Sequence, residues 1–123
     1  MQKTILIADD HPEIRTLVRI TLSSDGYTVA ECKTAPEAVD YTAQHPVHLI
    51  LMDIDMPGEY NGIKATRILH SAPKTADIPV IMLTGSKKFQ EESLQSGAVA
   101  YLTKPFSPID LLKHVQQFVN TPE

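Results

Sequence analysis

The sequence predicts an α/β domain in which a parallel sheet is covered by helices on both faces, and three observations lead there. Five short apolar runs, at 4–8, 27–32, 47–52, 79–83 and 98–102, alternate with five amphipathic segments. The runs at 4–8 and 49–52 are almost continuously apolar, as strands buried on both sides must be. The 123 residues, 42% hydrophobic and 21% charged, suffice for one domain with a full core, and no repeat, linker or low-complexity tract interrupts the series. Right-handed crossovers between successive parallel strands then place helices on both faces.

Each helix carries its own start or stop signal. The first follows Asp10 with Pro12 in its opening turn, sets Ile14, Leu17, Val18, Thr21 and Leu22 on one face, and ends at Gly26. The second opens at Thr34-Ala-Pro-Glu37, a capping box with proline inside it. A third begins near Gly62, carries Ala65, Ile68, Leu69 and Ala72 as an apolar stripe, and stops before Pro73. The fourth, 87–96, has few apolar residues and ends at Gly97. The fifth opens at Ser107-Pro-Ile-Asp110 and presents Leu111, Leu112, Val115, Phe118 and Val119.

Composition excludes several functions. A net charge of −4 offers no basic field for phosphate backbones, so no direct nucleic-acid binding is expected. Apolar runs such as 47–52 fall far short of the ~20 residues that span a bilayer, and the N-terminus lacks a signal-peptide core. No membrane insertion is expected, and the cytoplasm is the expected location. The single cysteine, Cys32, lies in an alternating strand-like run and reads as a small buried hydrophobe. His11, His45, His48, His70 and His114 lack zinc-ligand spacing and read as ordinary surface or edge histidines.

In an open parallel sheet, ligands bind beyond the carboxyl ends of the strands. The residues there are Asp9 and Asp10 after the first run, Asp53 after the third, Thr84 after the fourth and Lys104 after the fifth. Massed carboxylates repel unless a cation sits among them, and hard oxygen donors select Mg²⁺, with Mn²⁺ as the alternative. A carboxylate, a hydroxyl and an ammonium around such a cation are the equipment for clamping a phosphoryl group, with Asp53 as the best placed nucleophile. Taken singly, Asp10 is equally a helix N-cap, Thr84 a turn residue and Lys104 a solvated charge. Five polar residues at the ends of four strands argue instead for one shared site.

With these residues in hand, the sequence resembles the receiver domains of response regulators from Ile5 to Val119. The resemblance rests on Ile-Ala-Asp9-Asp10-His-Pro, Leu-Ile-Leu-Met-Asp53-Ile-Asp-Met-Pro57-Gly, Val-Ile-Met-Leu-Thr84-Gly and Tyr101-Leu-Thr-Lys104-Pro105-Phe. It implies a flavodoxin-like (βα)5 doubly wound sheet of order 2-1-3-4-5 and an acyl phosphate on Asp53. It further implies Mg²⁺ held by Asp10, Asp53 and the main-chain carbonyl of Asp55, with Asp9 acting through water. Thr84 and Lys104 would contact the phosphoryl oxygens. Tyr101 looks like the aromatic switch residue that follows Thr84 and remodels the face formed by the fourth helix, fifth strand and fifth helix; its bland reading is a half-exposed edge-strand tyrosine. The Lys104-Pro105 bond resembles the family's cis peptide. Two features depart from the usual pattern: four residues rather than three separate Pro57 from Gly62, and Asp55 adds an acid beside the acceptor.

The implied partners are a histidine kinase or histidine phosphotransfer protein as donor, and a downstream protein target. The domain would promote its own phosphorylation and dephosphorylation rather than turn over external substrates. One rival is an aspartate-nucleophile phosphohydrolase of the haloacid dehalogenase type, suggested by Asp53-Ile-Asp55, although there the acidic pair comes late in the chain and here it comes first. The other is an interaction module that works without phosphorylation. Residues 1–123 are expected to form a single receiver domain with no output domain, because the sequence stops at 120–123 just after the last helix.

Overall fold

The computed structural model describes residues 2–119. The tail 120–123, on which the expectation of no output domain rests, lies outside them. Five parallel strands run in the order β2-β1-β3-β4-β5, with β1 at Thr4–Ala8, β2 at Thr28–Cys32, β3 at Leu49–Asp53, β4 at Val80–Thr84 and β5 at Ala100–Thr103. Between and after them lie α1 (Pro12–Ser24), α2 (Ala35–Gln44), α3 (Gly62–Ser71), α4 (Gln90–Gln95) and α5 (Pro108–Val119). The doubly wound arrangement and the strand order are those expected.

Alternation along each strand divides the core into two layers. Leu6, Ala8, Ile50, Met52 and Met82 face one side, where they pack with Ala35 and Ala38 of α2 and Ala65 and Leu69 of α3. Ile5, Ile7, Leu49, Leu51, Ile81 and Leu83 face the other, against Val18 and Leu22 of α1 and Leu111, Val115 and Val119 of α5. All residues of β3 and β4 are buried, and each fully buried aliphatic contributes roughly 1.5–3 kcal/mol. That pair of central strands is therefore a stiff base for whatever stands at its ends.

Strand limits differ from the sequence reading by one or two residues because the ladder, not hydrophobicity, sets them. Val47 is buried but precedes the first β1–β3 pair, Ile5 with Leu49, while Asp53 belongs to β3 because it pairs with Leu83. The capping box holds: the Thr34 hydroxyl accepts from the Glu37 amide at 3.2 Å, and the Glu37 carboxylate accepts from the Lys33 amide at 3.1 Å. The buried face of α3 includes Ile63 and Thr66 beside Ala65 and Leu69, whereas Ile68 and Ala72 are only half-buried. The fourth helix departs most: 87–96 is a 3-10 turn at Lys87–Phe89 followed by a six-residue helix. No side chain caps that helix and only Ser93 within it is buried, so neither capping nor packing extends it.

Candidate functional site

The site stands at the carboxyl ends of β1, β3, β4 and β5. Backbone ladders bring its members together: the Asp9 amide donates to Cys32 O at 3.1 Å, Ile54 to Leu83 O at 3.2 Å, and Lys104 to Thr84 O at 2.8 Å. Asp9 and Asp53 are buried, at 0% and 4% exposure, while Asp10 is half-buried. Lys104 reaches between the two buried acids, its Nζ lying 2.8 Å from Asp9 Oδ2 and 3.1 Å from Asp53 Oδ1. It is thus no solvated charge. Nor is Asp10 a helix cap, because His11 occupies the N-cap of α1 and no side chain bonds the helix amides there.

The electrostatics follow from burial and proximity. Burial and the neighbouring Asp9 charge push the Asp53 carboxyl up to about 6, against the opposing pull of Lys104. Burial alone would lower the Lys104 ammonium, yet the Asp9 hydrogen bond and the charges of Asp53 and Asp9 leave it raised. Three carboxylates face one ammonium, and two buried oxygens, Asp10 Oδ1 and Asp53 Oδ2, have no hydrogen-bond partner among the described residues. Donor atoms of Asp9, Asp10, His11 and Asp53 all lie within 4.8 Å of one another. Excess negative charge, oxygen donors and orphaned buried lone pairs are together what a hard divalent cation satisfies, so the residues fit Mg²⁺ or Mn²⁺.

Thr84 stands where expected but is engaged locally. Its hydroxyl donates to Ser86 O at 2.8 Å and accepts from the Ser86 amide at 3.1 Å. Tyr101 is half-buried on edge strand β5 and packs against the core layer under α2 and α3. Asp55 is exposed and outside the set of clustered donor atoms. The Lys104–Pro105 peptide is cis, as the sequence reading anticipated.

Three residues of the site were missed from sequence. The reading of all five histidines as ordinary is corrected at His11, whose Nδ1 lies 2.8 Å from Asp9 Oδ1 and 3.3 Å from Asp10 Oδ1. Its pKa is raised, first by the Asp9 hydrogen bond and then by both acid charges, against burial and Lys104. Its position directly after Asp9-Asp10 was the available signal. Arg15, one turn into α1, donates from Nη1 to the Asp9 carbonyl at 2.8 Å, and its Nε pairs with Glu31 at 3.2 Å. Gly62 abuts the Asp53 backbone: a Cβ there would run into the Asp53 carbonyl oxygen and sit 2.9 Å from Met52 Cγ.

Comparison with known proteins agrees with this geometry. The family model for the response regulator receiver domain matches residues 5–116. A phosphate regulon transcriptional regulatory protein, PhoB of Pseudomonas aeruginosa, is 38% identical over 116 residues, which are 93% of this chain and 50% of that protein. The chain spans about half the length of the first curated regulators that it matches. A putative response regulator from Chloroflexus aurantiacus superposes with a TM-score of 0.94 at 26% identity, covering 98% of this chain and 100% of that one. The receiver domain of sensor histidine kinase PA1611 from Pseudomonas aeruginosa, with a magnesium ion coordinated in its active site cleft, superposes with a TM-score of 0.90 at 29% identity over 98% of this chain and 100% of that one.

Proposed function

Because this chain belongs to the response regulator receiver domain family, we propose that Asp53 is its phosphoryl acceptor and that a phosphohistidine, on a histidine kinase or a histidine phosphotransfer protein, is the donor. The observation that carries the reading is the burial of Asp53 at the end of β3, bonded to Lys104 and beside Asp9 and Asp10. An ionised Asp53 oxygen attacks phosphorus in line with the imidazole leaving group. The new P–O bond forms as the P–N bond breaks, and the electron pair departs with the donor's imidazole. Lys104 and the Thr84 hydroxyl bind the equatorial phosphoryl oxygens, and Thr84 must leave Ser86 to do so. Asp10, Asp53 and the Asp55 main-chain carbonyl would hold Mg²⁺ directly, with Asp9 through water. When bound, the ion neutralises charge on the phosphoryl oxygens in both formation and hydrolysis of the acyl phosphate.

The readout is proposed to pass from Thr84 and Tyr101 to the face of α4, β5 and α5, where a downstream protein docks. The receiver itself is proposed to act in the cytoplasm as one domain; no described helix is long and apolar enough to cross a membrane. PhoB is named as a transcriptional regulator, but only half of it aligns here, and the net charge of −4 favours protein over nucleic-acid contact by this segment. Family membership removes the haloacid-dehalogenase-type alternative.

The test is intact mass after incubation with acetyl phosphate and Mg²⁺. One added phosphoryl group is expected on the wild type, and none on Asp53→Asn or when Mg²⁺ is chelated. No adduct on the wild type under any condition would assign the chain to the phosphorylation-independent modules instead.

A further inference from the structure

The acids of the pocket are not held alike. Lys104 bonds Asp9 Oδ2 at 2.8 Å and Asp53 Oδ1 at 3.1 Å, and the ring and amide of His11 both donate to Asp9 Oδ1. Asp10 lacks such support. Its buried Oδ1 has no hydrogen-bond partner among the described residues, and His11 Nδ1, 3.3 Å away, gives its proton to Asp9. The direction of the Asp10 carboxylate therefore depends on its backbone, and that backbone is fixed one residue earlier. The Asp9 amide donates to Cys32 O at the end of β2 at 3.1 Å, and the Asp9 carbonyl accepts from Arg15 Nη1 at 2.8 Å. Because the peptide unit is planar, pinning the Asp9 oxygen also fixes the plane that ends at the Asp10 Cα.

Arg15 is itself oriented. Its side chain is 12% exposed, and Glu31 on β2 accepts from its Nε at 3.2 Å through one oxygen while the other accepts from Arg19 Nη1 at 2.9 Å. With Nε so occupied, the planar guanidinium presents Nη1 to the carbonyl, a two-sided contact that an ammonium cannot copy. We propose that Arg15 is a positioning residue for the divalent cation: held by Glu31, it clamps the peptide between Asp9 and Asp10 and so preorganises the Asp10 carboxylate, a role that rests on the reading of this pocket as the cation site. The sign of its effect is diagnostic. A guanidinium near a cation site repels the incoming ion, so by charge alone its removal strengthens binding. Loss of positioning does the opposite, because removing an outer group that orients a ligand costs about 10–100-fold in metal affinity.

The experiment titrates the chain with MgCl₂ alone and reads the affinity from amide NMR shifts, for wild type, Arg15→Met and Arg19→Met, with urea unfolding in EDTA to establish that each variant is folded. Arg15→Met keeps the apolar stem without a donor. Arg19→Met removes the same charge from the same Glu31 without touching Asp9. The expected result is Mg²⁺ binding about tenfold weaker in Arg15→Met. In Arg19→Met, which loses only an exposed ion pair, the change should be less than about twofold. Equal or tighter binding by Arg15→Met, or equal losses in both variants, overturns the role of Arg15 while leaving the cation site intact. If Arg15→Met does not fold, Arg15→Lys decides, since it keeps the charge and loses the fork: weaker binding supports the clamp, and unchanged affinity overturns it. No Mg²⁺ binding by the wild type overturns the cation site and the clamp together.

Discussion

Replacing Asp53 by asparagine should stabilise the metal-free domain. Asp53 is 4% exposed, and burial with the Asp9 charge lifts its carboxyl from an ordinary 3.8 to about 6. Two units at 1.36 kcal/mol each set a ceiling of about 3 kcal/mol on the cost of ionising it in the folded state. Salt screening and a compact unfolded state reduce this, and we expect about 1–3 kcal/mol. An asparagine fills the same volume and its amide oxygen still accepts from Lys104, so packing is preserved.

The sign follows from linkage. A carboxyl whose folded pKa is raised favours folding fully below its unfolded pKa, and that contribution is lost as pH rises through about 6. Asparagine has no such loss. The advantage of the variant is therefore near zero at pH 3, about one third of its full value at pH 4.5, and complete above pH 7. Urea unfolding of both proteins in EDTA at these pH values measures the difference directly, and comparing the two cancels the titration of other groups. Saturating Mg²⁺ should narrow the gap at pH 7.5 by stabilising the wild type through mass action. A variant equal to or weaker than the wild type at pH 7.5, or a gain independent of pH, would refute the assignment of Asp53 as a destabilised buried acid.

Three further outcomes follow from the same packing and burial. Gly62→Ala should lower stability by about 2–3 kcal/mol, read from the urea midpoint, because its Cβ meets the Asp53 carbonyl and Met52 rather than a movable side-chain end. The Cys32 thiol, pushed up to about 12 by burial and then by Glu37, should react with a disulfide reagent at pH 8 about a thousandfold more slowly than an unperturbed thiol, and at the ordinary rate in denaturant. Amides of Gln90–Gln95 should exchange hydrogen at least about tenfold faster than those of β3 and β4, and beryllofluoride should change their protection; identical protection with and without it would exclude α4 from the switch.

What was legible in the sequence was whatever depends on local pattern. Apolar runs marked β1 and β3, Thr34 and Glu37 marked the start of α2, and the polar residues after each run marked the site. Two kinds of information were not local. Whether α4 reaches a full helix depends on what covers it, and 87–96 contains too few apolar residues for its extent to be read from periodicity. The role of Gly62 depends on the approach of α3 to the Asp53 backbone, since its own φ is not left-handed and the Asn61 before it marks only where the helix starts. His11 lay between these cases: its adjacency to two acids was visible, but the direction of its ring was not.

The contrast between β3 and α4 bears on how the proposed switch would work. Asp53 sits on a strand with every residue buried and with α3 pressed against its carbonyl, so phosphorylation can do little to the acceptor's own backbone. Thr84 is different. Its hydroxyl is the strap that holds Ser86 through two hydrogen bonds, and Ser86 in turn accepts from the Lys88 amide at the 3-10 turn preceding α4. Turning Thr84 toward a phosphoryl oxygen on Asp53 exchanges those two bonds for one to a charged acceptor, a difference of order 1–2 kcal/mol. Against a well-packed helix that would move nothing, because a cohesive element resists such a bias. Against a six-residue helix with one buried side chain it is comparable to the helix's own hold on the fold, which is the condition for a population shift. The weak packing of α4 would thus let a local exchange of hydrogen bonds at Thr84 reach the surface in the proposed switch.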